Sequence, residues 1–154
     1  MNTGPLVTPT SQESLGVLIG LVRIELVRGI EAEITAKGLD LRYIQFLILK
    51  RLAVLGPMTA TELARSVELD GGAMTRQLDH LEGRGYLRRC RHEQDRRALR
   101  IELTDAGDAL WQQLTGCNDR VLEAAQRSLN EVERERLHDY LSRVLHALRD
   151  KNKS

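Results

Sequence analysis

The sequence is poor in several things, and each shortage removes a class of protein. It has two cysteines, Cys90 and Cys117, too few for a disulfide framework, so a reducing cytoplasm is the expected setting. Its longest apolar run, Leu15–Val22, ends at Arg23 after eight residues, far short of a membrane span. The opening MNTGPLVTPTSQES has no basic stretch followed by an apolar one, so no signal peptide is expected. The four histidines, at positions 80, 92, 138 and 146, form no ligand-spaced cluster. Cys90-x-His92 supplies only two donors, and Glu135-x-x-His138 stands alone, so no metal and no other cofactor is expected. Nucleophile elbow, P-loop and dinucleotide fingerprint are all missing, which argues against an enzyme. Aromatic residues number five, Tyr43, Phe46, Tyr86, Trp111 and Tyr140, and as a group they are expected in the core. Lysine is nearly absent: of 23 basic residues 19 are Arg. Arginine suits bidentate recognition of phosphate and base edges, although an Arg-rich genome produces the same bias.

What remains is a chain of 154 residues with 42% hydrophobic and 29% charged side chains, the composition of one folded domain. A net charge of +1 excludes a chain-wide polycation. The charge is concentrated, however. Residues 84–100 hold seven Arg against Glu93 and Asp95, while the flanks are slightly acidic. One basic segment in a near-neutral protein has the form of a footprint for an anionic polymer.

Residues 1–10 carry two of the three prolines and read as a flexible arm. Thr10 with Glu13 forms a capping box for a long helix. Its stripe is Leu15, Leu18, Val22, Leu26, Ile30 and Ile34, ended by Gly38. Asp40 is expected to cap a second helix with Leu41, Ile44, Ile48, Leu52 and Leu55 on one face, stopped at Gly56-Pro57. Thr59 and Glu62 make another capping box, opening a short helix with Leu63, Ala64 and Val67 inward. Asp70 caps the next, with Met74, Leu78 and Leu81 inward and Gly85 at its close. Two short helices across a tight turn suggest helix-turn-helix. Tyr86-Leu87 and Ile101–Leu103 then flank a polar segment without helical period, the pattern of a β-hairpin with a charged tip. Thr104 is expected to cap one long helix bearing Leu110, Leu114, Cys117, Val121, Ala125 and Leu129. Asn130 with Glu133 opens a last helix with Leu137, Leu141, Val144 and Leu148 at coiled-coil spacing. The expected fold is mainly α with a small β-hairpin wing: a winged helix-turn-helix over 40–104 between long helices at 11–37 and 105–150, all within one domain, 11–150. The first and last helices carry stripes with no local partner. Because the central module has its own small core, these stripes are expected to meet across a two-fold axis.

Three stretches in order resemble the MarR family of bacterial transcription regulators, of the branch named for multiple antibiotic resistance. They are LDGGAMTRQLDHLEGRGY at 69–86, Asp95-Arg96-Arg97 as the D-x-R wing motif, and IELTDAG at 101–107. The pattern extends over residues 12–150. The resemblance implies a winged-helix homodimer in the cytoplasm, binding a pseudo-palindromic double-stranded DNA operator, usually as a repressor. It also implies a response to small aromatic acids, phenolics or oxidants, and no membrane.

The residues agree with the DNA part. The 70–84 helix is expected to expose Thr75, Arg76 and Gln77 side by side, with Arg suited to guanine and Gln to adenine. Gly71 and Gly72 leave backbone N–H groups unshielded at the positive helix end, where phosphate can approach, and Ala73 is counted with the DNA contacts. Thr59, at the start of the first short helix, is counted with these contacts. By resemblance, Arg97 enters the minor groove braced by Asp95, with Arg96 beside it at the tip. Arg88, Arg89 and Arg91 would contact the DNA backbone. Tyr43 falls where the family lines its effector cleft, with Arg23 and Trp111 to complete it. Two other readings stay open. Cys90, beside three Arg that would lower its thiol pKa, or Cys117 would serve a redox switch, although Cys117 is expected in the core. A helical module binding protein would need neither the Asp95/Arg97 pair nor an exposed Arg76–Gln77.

Overall fold

A computed structural model describes residues 14–91 and 99–153. The expected arm 1–10, the Thr10–Glu13 pair and the wing residues Asp95, Arg96 and Arg97 lie outside the described residues. The chain forms two compact units, one ending at Asn118 and the other beginning at Asp119.

In the first unit α1 (Leu15–Ala36) starts at Ser14, whose hydroxyl accepts the Val17 N–H. It ends at Gly38, which takes the left-handed conformation, while the Gly38 and Leu39 N–H groups close on the last carbonyls. Only Ile30 and Ile34 of α1 are buried. Leu15, Leu18 and Val22, the N-terminal half of the stripe, are exposed. Helix α2 (Tyr43–Leu55) has Arg42 as its N-cap, two residues after the expected cap Asp40. The reason is long-range. Glu31 of α1 accepts the Tyr43 N–H at 2.9 Å, and Gln45 Oε1 accepts the Arg42 N–H at 3.1 Å. First-turn donors are thus satisfied without a short polar cap. Phe46, Ile48, Leu49 and Leu52 fill the core, whereas Leu55, expected on the same face, is exposed.

The winged module follows. Thr59 and Glu62 make the expected reciprocal capping box at the start of α3 (Ala60–Val67). Asp70 Oδ1 accepts the Ala73 N–H at 2.9 Å and opens α4 (Gly71–Gly83), which buries Met74, Leu78 and Leu81. The hairpin is β2 (Leu87–Arg91) antiparallel to β3 (Leu99–Leu103), with Leu87 opposite Leu103 and Arg89 opposite Ile101. A third strand, β1 (Met58–Thr59), was not expected. It pairs Met58 with Ile101 and puts β3 in the middle of the sheet.

Thr104 Oγ1 accepts the Gly107 N–H at 3.1 Å and starts α5 (Asp105–Leu114). The single long helix expected here is broken. Thr115 is extended at the C-cap, Gly116 has φ +84°, and α6 (Cys117–Ala125) begins anew. The spacing of Leu110, Leu114, Cys117 and Val121 runs on in the sequence across the break. Cys117 is buried as expected.

The second unit ends in α7 (Glu131–Lys153), opened by the expected Asn130–Glu133 capping box. Arg134 reaches back to the carbonyls of Gln126 and Leu129. No residue of α7 is buried. Leu137, Leu141 and Leu148 stand exposed along it, and so does Tyr140, which was expected in the core.

Candidate nucleic-acid interface

Helix α4 is divided sharply by burial. Its inner face closes on the core, while Gly71, Gly72, Thr75 and Arg76 are exposed. A side chain at Gly71 would meet nothing within 4 Å, so the first turn is open to a large partner. Thr75 Oγ1 donates to the Gly71 carbonyl at 2.9 Å, which engages the hydroxyl of this exposed residue. Ala73 is half-buried. An open groove between α3 and α4 is lined by Thr61, Arg65, Gly71 and Thr75 among others. Thr59 is half-buried, its hydroxyl engaged by the Glu62 N–H at 3.1 Å.

Gln77 departs from expectation. It is half-buried rather than exposed beside Arg76, and its Oε1 accepts a bond from Gln45 Nε2 at 3.1 Å. Gln45, on α2, is a residue that sequence reading passed over. A polar side chain inside the apolar run Tyr43–Leu49 was the available signal.

The basic segment is more neutralised than its sequence suggests, because folding brings acids to it. Arg89 grips α4, with Nη2 on Asp79 and Nη1 on Glu82, each at 2.8 Å. It therefore ties the wing strand to α4. Arg88 pairs with Glu102 across the strands, and this bond holds its guanidinium further toward the charged form. Arg84 donates to the Asp40 carbonyl at 2.7 Å and lies 5.2 Å from the Tyr86 ring centre. Arg100 donates to the Pro57 carbonyl at 3.2 Å. Arg91 is exposed. The outward charge near the wing thus comes from fewer side chains than the count over 84–100 implies.

Cys90 is also corrected. Its thiol donates to Glu102 at 3.2 Å, and that carboxylate, with burial behind it, pushes the thiol pKa up rather than down. Arg88 acts in the opposite direction but weakly, since Glu102 engages it first.

Of the residues expected to line an effector cleft, Tyr43 and Trp111 flank one buried ring. Tyr43 stacks on Phe46 with ring centres 6.2 Å apart, and Phe46 meets Trp111 at 5.8 Å. Arg23 is exposed in the half of α1 that buries nothing. Among the described residues no group of three metal-ligating side chains occurs, and no helix is long and apolar enough to cross a membrane.

Comparison with known proteins agrees with this geometry. The MarR family matches residues 41–99. The HTH-type transcriptional regulator MgrA of Staphylococcus aureus is 32% identical over 111 residues, covering 72% of this chain and 74% of that protein. SarZ of Staphylococcus haemolyticus is 31% identical over 69% of this chain and 71% of its own length. Among solved structures, a cysteine-to-serine mutant of MarR from E. coli complexed with operator DNA superposes with TM-score 0.77 and 28% identity, over 85% of this chain and 93% of that one. The transcriptional regulator PA3341 superposes at 0.80 with 28% identity, over 89% and 99%. The fold is the winged helix of these regulators, whose kind is not enzymatic, and the chain belongs to the MarR family.

Proposed function

We propose that the chain is a cytoplasmic transcriptional regulator that binds a pseudo-palindromic DNA operator as a homodimer and represses the genes it controls. The observation that carries this is the division of α4. Its inner face is buried, while Thr75, Arg76 and an open first turn face outward, as a helix entering a major groove requires. A relative of this fold solved with operator DNA supports the same reading. Arg76 is the base reader, Thr75 offers a methyl to thymine, and Gly71 and Gly72 bring backbone N–H groups to phosphate, with Ala73 beside them at the contact. The wing residues Asp95, Arg96 and Arg97 add a minor-groove contact, with Arg91 beside them on the backbone.

The exposed apolar halves of α1 and α7 supply the dimer contact. A small aromatic acid or phenolic near Tyr43 and Trp111 is the effector. The redox alternative is disfavoured, because Glu102 pushes the Cys90 thiol pKa up and Cys117 is buried.

Selection of bound sequences from random duplex DNA tests the reading. The wild type should enrich an inverted repeat with half-sites about one duplex turn apart. Arg76→Ala should cost roughly 1–3 kcal/mol and relax one base pair per half-site. Arg97→Ala should lower affinity uniformly and flatten the salt dependence by about one unit per contact. Enrichment of no sequence by the wild type would refute it.

A further inference from the structure

Among the described residues Gln45 is the one buried polar side chain, 7% exposed, and its amide is held at both ends. The Arg42 N–H donates to Gln45 Oε1 at 3.1 Å. Gln45 Nε2 donates to Gln77 Oε1 at 3.1 Å. A backbone N–H cannot accept, so the first bond decides which end of Gln45 is the carbonyl. The Gln45 NH2 therefore faces α4. An amide NH2 only donates, so the end of Gln77 turned inward is its carbonyl. Polarity set at the N-cap of α2 is relayed through two side chains, and the group Gln77 has left for the outside is its NH2.

We infer, resting on the DNA-binding reading above, that Gln45 is a positioning residue which makes Gln77 a hydrogen-bond donor toward DNA. Such a donor suits a base edge made of acceptors, guanine O6 and N7 or thymine O4. Adenine read bidentately needs the Gln77 oxygen turned outward as well, and Gln45 holds that oxygen inward. The adenine preference expected of an unconstrained glutamine is thereby replaced by a preference for guanine or thymine. This specificity is set by a side chain that never touches the DNA.

The experiment is sequence selection from random duplex DNA with the full-length wild type, Gln77→Ala, Gln77→Glu and Gln45→Leu. Where Gln77→Ala relaxes a base pair, an A·T pair there should tolerate 7-deazaadenine without loss of wild-type affinity, because the Gln77 donor meets thymine O4 and not the adenine N7 that a bidentate adenine contact requires. Gln77→Glu keeps an oxygen for Gln45 but replaces the outward donor with an acceptor, so that base pair should shift to cytosine or adenine. Gln45→Leu frees the Gln77 amide to turn over. Adenine should then be admitted there with a gain of about fivefold or more per half-site, with the other positions unchanged. Gln77→Glu changes no core residue and decides the matter should Gln45→Leu fail to fold. A Gln77-dependent A·T pair at which 7-deazaadenine lowers wild-type affinity overturns the inference alone. So does a Gln77→Ala variant that weakens every sequence equally, or a Gln77→Glu variant with wild-type preference. No enriched DNA from the wild type overturns the DNA-binding reading itself and this inference with it.

Discussion

Gly107 lies so close to Tyr86 that a β-carbon placed on it would come within 3.0 Å of the Tyr86 carbonyl oxygen, an approach real β-carbons essentially never make. The same carbonyl accepts the Thr104 N–H at 3.1 Å, and Thr104 Oγ1 donates to the Gly85 carbonyl at 2.5 Å. The run from Thr104 to Gly107 therefore clamps the start of α5 onto the turn that leads into β2. Gly107→Ala should force backbone apart and cost about 2 kcal/mol or more. In a chain of this size that is a fall in melting temperature of roughly 5 °C. A calorimetric scan with an unchanged midpoint would disprove the clamp.

Arg89 is expected to matter through α4 rather than through DNA. Its removal leaves Asp79 and Glu82 adjacent on one helix face without their shared cation, a loss of about 1–2 kcal/mol in denaturant titration. Arg89→Lys should not restore the loss, because one ammonium cannot grip two carboxylates as the guanidinium fork does. Full rescue by lysine would show that a point charge suffices.

Cys90 should react slowly with iodoacetamide at pH 8. Glu102 raises its pKa, so less thiolate exists at a given pH than for an ordinary cysteine. Glu102→Gln removes the negative charge and should speed alkylation several-fold, while buried Cys117 stays unmodified. Peptide mass spectrometry separates the two sites. Wild-type Cys90 reacting as fast as a free thiol would revive the redox reading.

Much of this architecture is legible locally. The caps at Thr59, Asp70, Thr104 and Asn130 stand where the sequence places them, because each joins residues three apart. The errors share a cause, which is an unseen partner distant in sequence or a break hidden by phase. Asp40 looks like a cap until Glu31, from another helix, takes the first N–H. Gln77 looks exposed on a helical wheel that cannot contain Gln45. The Arg run looks fully outward until Asp79, Glu82 and Glu102 fold against it. Two-residue β1 has too little pattern to see. Gly116 was visible, but Leu110, Leu114, Cys117 and Val121 keep helical spacing across it.

The leucines of α7 should carry the dimer. Leu137→Glu with Leu148→Glu should yield a monomer by analytical ultracentrifugation and lower operator affinity, with helicity by circular dichroism retained. A double variant that stays dimeric would place the contact elsewhere.

The effector proposal makes a two-sided demand. A salicylate-like anion that weakens operator binding tenfold needs only about 1.4 kcal/mol of differential binding. By linkage, operator must weaken the anion by the same factor. Titration calorimetry with and without DNA measures both, and Tyr43→Ala should remove the response. Ligand affinity indifferent to DNA would end the proposal.

Ile101 has Met58 on one side and Arg89 on the other, and its own side chain is buried. That position limits how β3 can change over evolutionary time. Deleting one residue from this strand would turn its inward side chains to solvent and would misalign two ladders at once. Thr59 belongs to one of those ladders and also caps α3, so the helix-turn-helix would register the error too. Single-residue insertions and deletions should therefore be purged from Leu99–Leu103 across descendants of this sequence.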